Sequence, residues 1–203
     1  LNNKNFIWDL DGTLLDSYPA IIESLFETYQ HFDLDFDKEY VSKFIIDMSV
    51  KDLFNKLSSE NNISFDELKK YFTNTNNQKN DMIVLMPGAL EVLDYLFDNG
   101  SKHFVYTHKG RNAYDVLDSL GIGHFFKEVI TSDNGFIRKP HPEGVDYLVE
   151  KYDLDRADTY YVGDRSLDYE VALNSGIKSI NFIVPDSDIN KQISSLKDIE
   201  EMF

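Results

Sequence analysis

Hydrophobic and polar positions along this chain follow two rhythms. Residues 4–10 (KNFIWDL) form a short apolar run with aromatic and β-branched side chains, cut off by Asp11-Gly12. Such a run, bounded by a turn signal, predicts a buried strand. From Ser17 to about Asp81 the spacing changes. Ile21, Ile22, Leu25, Phe26 and Tyr29 form one group; Tyr40, Val41, Phe44 and Ile45 a second; Leu53, Phe54 and Leu57 a third; Phe65, Leu68, Tyr71 and Phe72 a fourth. Recurrence at three and four residues puts each group on one helical face, so this stretch predicts about four short helices and no strand. Ser64 before Phe65, with Glu67 three residues on, has the form of a capping box. The asparagine-rich segment 73–80 (TNTNNQKN) reads as a loop or a frayed helix end near a domain boundary.

After Pro87-Gly88 helix and strand patterns alternate. Helix 88–98 stops at Gly100, strand 103–107 follows, and helix 111–119 stops at Gly121. A short strand lies near 128–131, and helix 142–151 carries Pro142 in its first turn. Strand 159–163, helix 167–175 and strand 178–183 follow, and the segment after Asp186 predicts one last amphipathic piece. Repeated β-α-β units imply parallel strands with helices on both faces. The expected fold is therefore α/β: a Rossmann-like parallel sheet built from residues 1–15 and 84–203. Residues 16–83 form an inserted, small all-helical domain. In such sheets ligands bind at the carboxyl ends of the strands.

Composition narrows the chemistry. The 203 residues are 42% hydrophobic and 28% charged, which is ordinary for a globular chain able to bury a real core. Cysteine is absent, which excludes disulfides, thiolate metal sites and cysteine nucleophiles and fits a reducing, cytoplasmic setting. Twenty Lys+Arg against 36 Asp+Glu give a net charge of −16, so neither nucleic acid nor an anionic membrane is an expected partner. No apolar run approaches the roughly 18 residues of a membrane span, and the start shows no signal-peptide pattern. The apolar faces of the two domains, packed together, allow a monomer or a weak dimer.

Four polar groups fall at predicted strand ends. Asp9-Leu10-Asp11-Gly12-Thr13 leaves the first strand; residues two apart share a face, so both carboxylates can converge. Thr107 ends strand 103–107. Lys139 lies in the loop Arg138-Lys139-Pro140. Gly163-Asp164 ends strand 159–163, with Asp168 four residues on. Each has a plain structural explanation taken alone: an acidic turn, a strand-end hydroxyl, a solvated lysine, a helix cap. Four of them meeting at one sheet edge are harder to explain that way.

In this order the motifs resemble the haloacid dehalogenase-like superfamily, over essentially the whole chain. The run Asp11-Gly12-Thr13-Leu14-Leu15-Asp16-Ser17 is similar to phosphoglycolate phosphatase-like members, and the helical insertion resembles their cap. The resemblance implies a phosphatase acting on a small-molecule phosphate ester, phosphoglycolate-like or a sugar phosphate, through an aspartyl-phosphate. Asp9 would be the nucleophile, and Asp11 the acid that protonates the leaving group and then the base that activates water. Mg²⁺ would be held by the Asp9 and Asp164 carboxylates and the Asp11 backbone carbonyl, with Asp168 as a direct or outer ligand. Lys139 would offset the crowded charge, while Thr107 and the His108 backbone would bind phosphoryl oxygens. Such cations matter because a strongly acidic surface repels phosphate at long range. The implied cap closes over the site and sets specificity through segment 46–51, where Lys43 or Lys51 would meet a substrate carboxylate. An exposed helix lysine is the plainer reading of either.

Three segments depart from the family pattern: His108 stands where Asn is common, Trp8 where Phe is usual, and Ile46-Asp47 where Gly is frequent. Other readings share parts of the motif set. A haloalkanoic acid dehalogenase does not need Asp11. A β-phosphoglucomutase-type mutase usually has a histidine where this chain has Ile21. A phosphonate-cleaving enzyme needs a cap lysine. A non-catalytic phosphoacceptor or binding module would lack the cap or have lost a motif residue.

Overall fold

A computed structural model describes residues 3–203. The chain divides into two compact units, Ser17–Ile83 on one side and Leu1–Asp16 with Val84–Phe203 on the other.

The helical unit contains α1 (Tyr18–His31), α2 (Lys38–Asp47), α3 (Val50–Asn61) and α4 (Phe65–Asn77). Polar side chains cap the start of three of them. Asp37 accepts the Tyr40 N–H at 3.0 Å, Ser49 accepts the Asp52 N–H at 3.0 Å, and the Ser64 N–H donates to Glu67 at 3.3 Å. Each bond satisfies a first-turn donor that the helix itself leaves open. The apolar groups read from the sequence meet in one core of Ile21, Leu25, Tyr29, Val41, Ile45, Leu53, Phe54, Leu57 and Leu68. The asparagine-rich segment is not a loop for most of its length. Helix α4 continues to Asn77, with Thr75 and Asn76 buried. The Asn76 side-chain amide lies 3.2 Å from the Ser24 hydroxyl oxygen of α1, so a paired amide stands where the sequence pattern showed only polarity.

The sheet unit holds strands β1 (Asn5–Trp8), β2 (Leu15–Asp16), β3 (Val84–Leu85), β4 (Lys102–Tyr106), β5 (Phe126–Ile130), β6 (Thr159–Gly163), β7 (Lys178–Asn181) and β8 (Asn190–Gln192). Its helices are α5 (Ala89–Asp98), α6 (Asn112–Ser119), α7 (Glu143–Tyr152) and α8 (Ser166–Asn174). Six strands form a parallel sheet in the order β5-β4-β1-β6-β7-β8. Strand β1 is central, and Phe6, Ile7 and Trp8 are fully buried. Ile7 joins a core with Phe104, Tyr161 and the α7 and α8 residues Val145, Leu148 and Val171. On the opposite face Phe6 stacks on His103 and Tyr160 and meets Phe203, while Phe97 of α5 lies against His103. Helices thus cover both faces, as a parallel sheet requires.

Two features were not legible. Strand β8 is a short polar edge strand, of which only Asn190 is buried, so no apolar rhythm marks it. Strands β2 and β3 are a two-residue antiparallel pair. Pro142 precedes α7 rather than lying within its first turn.

From β1 the chain passes to β4 on one side, and from β6 to β7 on the other. That reversal makes the carboxyl ends of β1 and β6 the crevice where such sheets bind ligands.

Candidate active site

Backbone bonds fix what leaves β1. The Asp9 N–H donates to the Val162 carbonyl of β6 at 2.9 Å, and Asp9 Oδ1 accepts the Leu10 N–H at 2.8 Å. The loop then winds around one carbonyl: Leu10 O accepts the N–H groups of Thr13, Leu14 and Leu15 at 3.0, 3.0 and 2.9 Å. Gly12, at φ 83°, supplies the left-handed turn this winding needs.

Lys139 organises the buried charge. Its ammonium reaches Asp168 Oδ1 at 2.7 Å, the Tyr161 hydroxyl at 2.9 Å and Asp9 Oδ2 at 3.3 Å. Three oxygens thus surround the ammonium, and the Tyr161 hydroxyl donates to the Tyr106 carbonyl at 2.6 Å. The second Asp168 oxygen accepts the Arg165 N–H at 3.1 Å. Gly163 is what lets Asp168 come this close to the strand end, because a Cβ there would lie 2.3 Å from the Asp168 Cβ and Oδ2.

Asp164 follows β6 and accepts the Thr13 hydroxyl at 2.9 Å. Thr107 follows β4 and is buried; its N–H donates to Ile130 O at 3.0 Å, and its hydroxyl oxygen accepts the Lys109 N–H at 3.1 Å. Asp11 pairs with the Lys109 ammonium at 3.3 Å. The His108 ring faces the 138–139 loop, where Nε2 accepts the Lys139 N–H at 3.2 Å and Arg138 lies 3.1 Å from Nδ1.

The electrostatics follow from this crowding. Burial pushes the Asp9 carboxyl up to about 7; Lys139 opposes the shift, and the charges of Asp168, Asp164 and Asp11 add to it. Burial likewise pushes Asp164 up to about 6, reinforced by Asp168 and opposed by the Thr13 hydroxyl. For Lys139 burial acts downward, but Asp168 and Asp9 outweigh it and raise its pKa.

Asp9, Asp164 and Asp168 each offer an oxygen, all within 4.8 Å of one another. This donor set suits a hard divalent cation such as Mg²⁺, and the raised Asp9 and Asp164 pKa values mark negative charge that a cation would relieve. Both Asp168 oxygens already serve protein donors, so Asp9 and Asp164 are the better-placed direct ligands. The Asp11 carboxylate is not in this trio.

Of the residues expected from sequence, the sheet unit joins Asp9, Lys139 and Asp168 by direct contact and gathers Asp164 with them. Lys43 and Lys51 belong to the helical unit and are exposed, Lys43 lying 3.7 Å from Asp47. Sequence reasoning placed Thr13 in the first motif without giving it a role, and missed Lys109 and Tyr161. Lysine two residues past a strand end reads as solvated, and Tyr161 reads as core; only the strand-end position of Lys109 could have flagged it.

The model of the haloacid dehalogenase-like hydrolases matches residues 6–182. The pyrophosphatase PpaX of Bacillus velezensis is 32% identical, the match covering 85% of this chain and 80% of that protein. A phosphoglycolate phosphatase of Pseudomonas fluorescens is 24% identical over 86% of this chain and 67% of its own. Among solved structures, a HAD-superfamily subfamily IA hydrolase from Geobacter sulfurreducens superposes with a TM-score of 0.78 at 19% identity, covering 98% of this chain and 95% of that one. A haloacid dehalogenase-like protein from Streptococcus pneumoniae gives 0.77 at 20% identity, over 89% and 84% of the two chains. With its motifs at the ends of a parallel sheet and a family match over most of its length, this chain belongs to the haloacid dehalogenase-like hydrolases.

Proposed function

We propose that this chain is a Mg²⁺-dependent phosphatase that cleaves a small phosphoryl compound through an aspartyl-phosphate on Asp9. The observation that carries the reading is Lys139, buried between Asp9 and Asp168, with its three protons on Asp9, Asp168 and Tyr161. Burying charge this way is costly, and it sets the orientation of Asp9 at the crevice. The names of its relatives, a pyrophosphatase and a phosphoglycolate phosphatase, support the reaction class.

In the first step an Asp9 oxygen attacks phosphorus, the bond to the leaving oxygen breaks, and Asp11 gives that oxygen a proton. In the second step Asp11 takes a proton from water, whose oxygen attacks phosphorus. The bond to Asp9 breaks, releasing inorganic phosphate and restoring both carboxyl groups. Thr107 donates its hydroxyl to a phosphoryl oxygen. Lys139 opposes the upward shift that burial gives Asp9 and balances charge in the transition state. Asp9 and Asp164 would hold Mg²⁺, with Asp168 and the Asp11 carbonyl completing its surroundings; when bound, the ion neutralises phosphoryl charge as a Lewis acid. Residues 17–83 take the part of the cap insertion, and Lys43 or Lys51 are its candidate anion-binding side chains. The lack of cysteine fits a cytoplasmic enzyme. Among the described residues no helix is long and apolar enough to cross a membrane.

The test is phosphate release from pyrophosphate, phosphoglycolate and sugar phosphates, with Mg²⁺ and with EDTA. Release that needs Mg²⁺ is the expected result; equal release in EDTA would contradict the metal assignment, and no release from any of them the phosphatase reading.

A further inference from the structure

Lys109 is a second buried lysine at the site, and it differs from Lys139 in one respect. All three Lys139 protons have acceptors at hydrogen-bond distance. Among the described residues Lys109 has one, Asp11 Oδ1 at 3.3 Å, although its side chain is only 4% exposed. A buried ammonium with idle donors is unfavourable unless something else takes them. The backbone holds this cation in place from both sides: the Lys109 N–H donates to Thr107 Oγ1 at 3.1 Å, and its carbonyl accepts the Ser132 N–H at 2.9 Å. The ammonium is therefore preorganised beside Asp11.

Position then gives the ligand chemistry. Asp11 protonates the leaving oxygen, so it stands on the leaving-group side of the scissile bond. Lys109 touches Asp11 and stands on that side too, while Lys139 stands with Asp9 at the transferred phosphoryl group. A positive charge on the leaving-group side favours a leaving group that carries its own negative charge. We propose that Lys109 is a specificity-determining residue, selecting phosphoryl compounds whose leaving group is itself an anion: a phosphoanhydride, or an ester bearing an adjacent carboxylate. This rests on the phosphatase reading above. For pyrophosphate the balance is simple: Asp9 bonds to one phosphorus, the bridging P–O bond breaks, and its electron pair leaves with the second phosphate, beside Lys109.

The experiment compares pyrophosphate with p-nitrophenyl phosphate, whose leaving groups have similar acidity but differ in charge, in Mg²⁺ with the full chain. Lys109→Gln removes the charge and keeps a hydrogen-bond donor for Asp11. The kcat/KM ratio of pyrophosphate to p-nitrophenyl phosphate should fall by about ten- to a hundredfold in Lys109→Gln, the range of a lost charged hydrogen bond. Lys109→Arg should restore part of that ratio. An equal loss on both substrates would reduce Lys109 to a support for Asp11 and overturn the proposal. If Lys109→Gln does not fold, the wild-type ratio decides, since a ratio near one also overturns it. A wild-type chain inactive on both substrates would instead remove the phosphatase reading on which the proposal stands.

Discussion

The two units bury different things. In the helical unit the buried polar side chains are neutral: Ser17, Ser24, Thr28, Thr75 and Asn76. Ser24 and Thr28 donate back to carbonyls one turn earlier, at 2.7 Å each, and cost the core little. In the sheet unit Asp9, Lys109, Lys139 and Asp168 are buried, and Asp9 is held far from its ordinary pKa. Charge is expensive to bury and rarely adds stability over apolar packing. Its concentration at one sheet edge coincides with the proposed site, whereas the helical unit is held by apolar packing.

That contrast predicts opposite outcomes for substitutions in the two units. The largest effect on turnover should come from Asp9→Asn, which should lower kcat by roughly 10⁴-fold or more while leaving the thermal midpoint unchanged or higher. A lower midpoint with activity intact would reverse the assignment. Leu53→Ala, at a fully buried position in the helical core, should do the converse: a loss of about 3 kcal/mol in urea unfolding, with kcat per folded molecule retained. Gly163→Ala should displace Asp168 and so loosen Lys139. We expect kcat and Mg²⁺ affinity to fall by about ten- to a hundredfold, read from Mg²⁺ titrations of activity. Mg²⁺ at about 100 times its Kd should stabilise the wild type by about 2.7 kcal/mol in urea unfolding and Asp164→Asn by much less. Equal stabilisation of the two would place the ion elsewhere.

The most pH-dependent effect concerns His103, which is buried in β4 and accepts the Trp8 indole N–H at Nδ1 at 3.0 Å. Burial lowers its pKa from 6.5 to about 3. Below pH 6.5 the unfolded chain takes up a proton that the folded chain refuses, so this contribution is full above 6.5 and is lost as pH falls toward 3. Asp9 and Asp164, with raised pKa values, act in the other direction across the acid range. The difference between wild type and His103→Gln in urea midpoint isolates the histidine. That difference should shrink as pH falls from 7 to 4; a constant difference would contradict the assigned burial effect.

Much of this was legible in the sequence because it rests on abrupt changes of pattern. Strand β1 passes from Phe6-Ile7-Trp8 to Asp9 within one residue, and β6 ends on Gly163 with Asp164 directly after it. Capping residues such as Ser64 announced a helix start. What stayed hidden depends on contacts between distant residues. Asn76 looks like loop composition until Ser24 is seen to pair with it. Lys109 looks solvated until its burial against Asp11 is known, and Tyr161 looks like core until its hydroxyl is found between Lys139 and the Tyr106 carbonyl. Strand β8 pairs through its backbone at an edge, with little side-chain signal.

The most direct test of the central claim is to trap the intermediate. Asp11→Asn protein, which should form the aspartyl-phosphate and hydrolyse it slowly, is mixed with pyrophosphate and Mg²⁺, quenched in acid, digested and examined by mass spectrometry. The account predicts one added phosphoryl group on the peptide containing Asp9, absent from an Asp9→Asn control. A phosphoryl group on any other residue, or wild-type turnover with no labelled Asp9 under single-turnover quench, would contradict it.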